Sequence, residues 1–139
     1  MKYQKVFNQS ISCWDTSKVE GLKATFFMAT DFNGDVHGWD TANVTTMEMM
    51  FYEASDFNGD VSKWDTASVT DMDQIFFKAS KFNQDLSKWD TALVEDGDCT
   101  DFALNSSCPI DANPNNTANT GKQTCKAKLE NCKIDTESS

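Results

Sequence analysis

Large apolar side chains return along this chain at a fixed interval. Phe7, Phe32, Phe57 and Phe82 are 25 residues apart, and Trp14, Trp39, Trp64 and Trp89 keep the same step. Ile11, Val36, Val61 and Leu86 make a third column, Val19, Val44, Val69 and Val94 a fourth, and Leu22, Met47 and Met72 a fifth. Phe26, Phe51 and Phe76 are each followed by a second aromatic, Phe27, Tyr52 and Phe77, and two residues later by the small Ala29, Ala54 and Ala79. Such an interval marks stacked repeats, in which a unit too small to bury its own apolar face buries it against its copies. Within a unit, the Phe-to-Trp segment predicts a short strand and WDT with its flanks a turn. V-T-x-M predicts a second extended piece, and F-F-x-A a helical or 3-10 turn. Like residues would then lie about 5 Å apart, the spacing of hydrogen-bonded strands. The fold expected is a β-rich repeat solenoid of short parallel strands with helical or 3-10 turns.

The columns lapse where Gly97 stands in the Leu/Met column and Asp101 in the Phe column. This divides the chain into a lead-in over 1–6, four repeats over 7–94 with the last incomplete, and a cysteine-rich C-terminal cap over 95–139. Within the cap, Asp111 to Thr120 is rich in Asn, Thr and Pro and predicts a loop, while Gln123 to Cys132 has helical character. Cys99, Cys108, Cys125 and Cys132 read as a disulfide framework stapling this cap, and their spacing holds no CxxC pair that would favour zinc. Covering the end of an open stack is physically sensible, because its last unit otherwise exposes apolar columns and unpaired backbone. Four cysteines pair in three ways and leave Cys13, in the first repeat, over.

The unit F-N-x-D-[IVL]-S-x-W-D-T-x-x-V-x-x-M-x-x-[MI]-F-x-x-A, read from Phe7 to Val94, resembles the tandem repeat of BspA-like, leucine-rich-repeat-related surface proteins. That repeat occurs in mycoplasma surface lipoproteins and in many microbial and algal cell-surface proteins. The resemblance implies a leucine-rich-repeat-like solenoid and an extracellular or cell-surface setting, commonly for adhesion or matrix. The first copy departs at Ser10 and Leu22, and the cap lies outside the repeat.

Composition narrows the partners. The 139 residues carry 12 lysines, no arginine and 22 acids, a formal charge of −10. Residues up to Leu104 hold 18 of the acids and eight of the lysines, so the excess sits on the repeats. Nucleic acid and anionic membrane surfaces need clustered cations and are poor partners for such a chain. No stretch is long and apolar enough for membrane insertion, and the opening MKYQKVFNQS lacks the apolar run of a signal peptide, as expected of a mature or excised piece.

Several columns are polar. Asp15, Asp40, Asp65 and Asp90 form one row and Asp35, Asp60 and Asp85 another. Each Asp either caps its own turn by accepting backbone N–H groups or joins a ladder of carboxylates able to hold calcium; calcium is the sole cofactor in view, with no other metal expected. Asn8, Asn33, Asn58 and Asn83 read as an internal amide ladder satisfying the backbone at a coil corner. The tryptophan row is a structural column or, if its faces point outward, a platform for sugars. His37 replaces a recurring serine and reads as a surface variant. Asn8, Asn43, Asn105 and Asn115 begin N-glycosylation sequons, with Asn43 expected to face solvent and Asn8 to be buried. A catalytic pocket needs unlike groups converging, whereas stacked repeats present like groups in rows, so a non-enzyme is expected.

Two functions fit. In one, a glycosylated extracellular structural subunit self-associates end to end into a filament or surface layer, with Cys13 bonded to a neighbour's cap rather than a free buried thiol or a thiol whose partner lies on missing chain. In the other, a monomeric adhesion or recognition module on the cell surface binds a cation, a glycan or a basic protein.

Overall fold

The computed structural model describes residues 11–86 and 88–107. The repeats stack in register, but not by the strands expected of them. Among the described residues there is no strand and no sheet: two isolated parallel bridges, Gly21 with Thr46 and Thr46 with Asp71, are the nearest approach. One short 3-10 helix, Asp96–Cys99, is the only helix there. No disulfide joins two described residues; Cys99 is disulfide-bonded, Cys13 is free, and Cys108, Cys125 and Cys132 lie outside the described residues. The β-rich, leucine-rich-repeat-like solenoid with its stapled cap is therefore corrected to a stack of turns.

The physical reason is the frequency with which the backbone reverses. A strand needs several consecutive extended residues. Here Trp14 N–H bonds back to the Ile11 carbonyl and Val19 to Thr16, after which Thr25, Phe27, Ala29 and Phe32 each bond three residues back. The F-F-x-A region fails to become a helix because Ala24 and Met28 sit at φ 55° and 57°, in the left-handed region. The same two positions recur as Met49 and Glu53, as Gln74 and Lys78, and as Asp101 and Asn105. A left-handed residue at every fourth position reverses the screw sense before a helical turn can propagate. We call this turn-rich segment, residues 21–28 and its counterparts, the arm.

Successive arms are joined by backbone hydrogen bonds of one sense. Leu22, Ala24, Phe26 and Met28 donate to the carbonyls of Thr46, Glu48, Met50 and Tyr52 at 2.7–2.9 Å. Met47, Met49, Phe51 and Glu53 then donate to Asp71, Asp73, Ile75 and Phe77. The next arm continues past the place where the 25-residue columns lapse, since Met72, Gln74, Phe76 and Lys78 donate to Asp98, Thr100, Phe102 and Leu104. Two extra residues precede that last arm, in the stretch holding the 3-10 turn Asp96–Cys99. With the shift taken up, buried Cys99 stands in the Leu/Met column, Phe102 beside Met50 and Ile75, and Ala103 in the Phe column.

The core follows the columns. Phe32, Phe57 and Phe82 are fully buried, as are Val36, Val61 and Leu86, and Met47 and Met72. Rings stack across the junction where one unit passes into the next, Phe51 on Phe57 at 3.9 Å, and between like positions of successive units, Phe26 on Phe51 and Phe51 on Phe76 at 5.5 Å. Each buried ring therefore borrows neighbours from the units before and after it.

Candidate functional site

The tryptophan row is built by the turn that ends each Phe-to-Trp segment. Trp39, Trp64 and Trp89 stack face to face at 6.4 Å with their neighbours and are 6%, 4% and 6% exposed. Each donates its indole N–H to a carbonyl of the preceding unit, Trp39 to Ile11, Trp64 to Val36 and Trp89 to Val61. Their faces are thus spent on one another and offer sugars no platform. Trp14 differs: it stacks on Trp39 at 6.1 Å but is 54% exposed. Beside it Cys13 is a free, exposed thiol rather than a buried one.

The aspartate rows cap turns. Asp40, Asp65 and Asp90 accept the N–H groups of Ala42, Ala67 and Ala92, and Asp15 that of Ser17. Asp35 accepts from His37 and Asp60 from Ser62, while Asp85 is also engaged. Ser17 and Ser62 add hydroxyl bonds of 2.6 Å, which hold the Asp15 and Asp60 carboxyls below the usual carboxylate range. Among the described residues no group of three His, Cys, Asp or Glu side chains is placed to hold a metal ion. His37 is exposed.

The amide ladder lies on the surface rather than inside. Asn33 accepts the Asn58 backbone N–H at 3.0 Å and Asn58 accepts that of Asn83 at 2.9 Å, all three residues being exposed. With Asp31, Asp56 and Lys81 they line an open groove running across the units, in which Lys81 pairs with Asp56 at 3.0 Å. Lys23 with Glu48 and Lys78 with Glu53 likewise pair across units, offsetting the acidic excess locally. Asn43 is exposed and donates its side-chain N–H to the Ser17 carbonyl at 2.7 Å, and Asn105 is exposed in the left-handed region. Asn8 and Asn115 lie outside the described residues.

The threonine of WDT is a structural residue that sequence reasoning passed over. Thr16, Thr41 and Thr66 are buried, and their hydroxyls donate to the Asp40, Asp65 and Asp90 carbonyls of the next unit. Thr16 and Thr66 also accept the Asp40 and Asp90 N–H groups at 2.8 Å. Its signal is the recurrence at 16, 41, 66 and 91, which from sequence alone predicts no more than a turn.

Stacked units sharing one core and one set of inter-unit bonds define a tandem-repeat protein. Its family is DUF285, described as Mycoplasma protein of unknown function: the match spans residues 1–107 and the chain belongs to it. No curated protein and no solved structure matches. The match supports membership of a surface-protein repeat family. Among the described residues no helix is long and apolar enough to cross a membrane.

Proposed function

We propose that this chain is a non-catalytic cell-surface protein of the BspA-like kind, a structural subunit whose repeat stack associates end to end with further copies. The observation that carries this reading is the amino-terminal edge, where Trp14 is 54% exposed although its three counterparts are 6% or less. An indole surface of that size costs roughly 1.5–3 kcal/mol to leave in water relative to burial, and the free thiol of Cys13 beside it gives the contact a means of being locked. Exposed Asn43 and Asn105 support N-glycosylation of the flanks; a glycosylated Asn43 retains one N–H with which to reach Ser17. Electron microscopy of native, unreduced protein tests the proposal. Filaments or layers with a repeat of a few nanometres are expected, and isolated rods with a free Cys13 thiol at all concentrations would defeat it.

The groove of Asn33, Asn58, Asn83, Asp31 and Asp56 favours a second reading, a recognition module that binds neutral glycan chains through rows of amides and carboxylates. Isothermal titration with neutral oligosaccharides is expected to detect binding on that reading, and silence across several linkages counts against it.

A further inference from the structure

Residues 31–36 and 56–61 are the same six, Asp-Phe-Asn-Gly-Asp-Val, in successive units. The surroundings of their asparagines differ. The Asn33 side-chain oxygen accepts one hydrogen bond, from the Asn58 backbone N–H at 3.0 Å. The Asn58 oxygen accepts two at 2.9 Å, from the Asn83 backbone N–H and from the Gln84 side-chain amide. A backbone N–H only donates, so the Asn58 atom it meets is the carbonyl oxygen and not the amide nitrogen. The same Gln84 nitrogen also donates, at 2.9 Å, to the main-chain carbonyl of Asn58. Gln84 thus clamps the Asn58 side-chain carbonyl to the peptide that joins it to Gly59. At Asn33 the residue in the place of Gln84 is Gly59, which has no side chain with which to do so. Gly59 is half-buried, whereas Gly34 is buried. The Gly59 N–H makes no hydrogen bond among the described residues. A glycine is required there, because a Cβ would come within 2.7 Å of the Phe57 ring.

We infer that Asn58 and Gly59 form a self-modification site, at which the Gly59 nitrogen attacks the Asn58 side-chain carbonyl carbon and Gln84 is the positioning residue. Glycine suits the step, since no Cβ crowds the attacking nitrogen and the backbone is free to turn. The Gly59 nitrogen gives its proton to solvent hydroxide, a loss favoured by the Gln84 bond to the carbonyl of that same peptide. As the bond from nitrogen to Cγ forms, the carbonyl electron pair moves onto Oδ1, where the Asn83 and Gln84 N–H groups hold the oxyanion. The bond from Cγ to Nδ2 then breaks, and ammonia leaves with a proton from water. Water opens the resulting five-membered imide, at Cγ to give aspartate or at the main-chain carbonyl carbon to give isoaspartate. The balance is one water consumed and one ammonia released, with no change of oxidation state. Either product adds a carboxylate to the groove that already holds Asp31 and Asp56. Isoaspartate also lengthens the backbone beside the fully buried Phe57, so the change is a one-way alteration in the middle of the stack.

Peptide mapping by mass spectrometry of the full folded chain, held at neutral pH and sampled over time, tests this. Conversion of amide to acid is expected about tenfold faster at Asn58 than at Asn33. In the same chain unfolded in urea the two rates are expected to be equal, because the flanking residues are identical. Gln84→Met removes the clamp and is expected to lower the Asn58 rate severalfold while Asn33 keeps its own. Equal rates at the two asparagines of the folded parent chain overturn the inference, as does an Asn58 that converts more slowly folded than unfolded. A folded Gln84→Met chain that keeps the parent ratio overturns the role of Gln84. Should that variant not fold, the comparison of Asn58 with Asn33 in the parent chain decides alone.

Discussion

At the scale of single residues, the stack depends on small polar groups that satisfy buried backbone. The Thr66 hydroxyl both donates to the Asp90 carbonyl at 2.9 Å and accepts the Asp90 N–H at 2.8 Å. Thr66→Val keeps the shape and strands both backbone groups, so a loss of about 1–3 kcal/mol is expected in urea denaturation. Asp73 is the opposite case. Burial first, then the neighbouring Asp71, Asp98 and Glu48 charges, push its carboxyl above the usual range, against a 2.6 Å bond from the Thr100 N–H that lowers it. A carboxyl whose folded pKa is raised weakens the fold above that pKa, and the weakening is relieved as pH falls toward the unfolded value. Asp73→Asn keeps an oxygen for Thr100 and removes the charge, so it is expected to raise the thermal midpoint at pH 7. That gain should vanish below about pH 4; a gain that persists there, or a loss at pH 7, contradicts the assignment. Asp15 and Asp60, held low by serine hydroxyls, act with the other sign: what they contribute is present above the unfolded pKa and lost as pH falls through the folded one.

At the scale of the element, the arm is where sequence and structure part. The columns could be read because burial imposes like residues at like positions, and Phe32, Phe57 and Phe82 declare the repeat without any structure. The turns could not. Left-handed backbone is ordinarily announced by glycine or asparagine, but here Ala24, Met28, Met49, Glu53, Gln74 and Lys78 occupy it, so nothing in composition warns against a helix. The two added residues before the last arm hid its continuation in the same way, since a fixed interval of 25 places Gly97 and Asp101 in the core columns where Cys99 and Ala103 belong. Of the candidate site, the tryptophan and aspartate rows were legible, but the difference between exposed Trp14 and its buried counterparts was not, because it depends on which unit lies at the edge. The left-handed positions make their own prediction. Ala24 is exposed at φ 55°, so Ala24→Gly is expected to stabilise the protein by up to about 1 kcal/mol by relieving the left-handed penalty, more than offsetting the added chain entropy. Chemical denaturation measures this, and a destabilised variant would show that the arm is not strained there.

At the scale of the whole molecule, stability belongs to the interfaces between units rather than to any unit alone. Phe51 is fully buried and stacks on Phe57, which opens the next unit, and on Phe26 and Phe76, its counterparts in the units on either side. Phe51→Ala therefore opens a cavity facing two interfaces, with an expected cost of about 3–5 kcal/mol. Trp14 has one stacking neighbour in its own row and more than half of its surface in water, so Trp14→Ala is expected to cost less than about 1 kcal/mol in the single chain. Urea titrations of both variants, followed by the emission of Trp39, Trp64 and Trp89, compare the two. Because a nearest-neighbour stack split at its middle leaves two short halves, the Phe51 variant is also expected to unfold over a broader range of urea than the parent chain, with a smaller apparent slope. A sharp transition of unchanged slope would mean that the units unfold as one body despite the weakened middle. Equal losses at the two positions would mean that edge and centre are energetically alike, and the end of the stack would then have no more reason than its flanks to seek a partner.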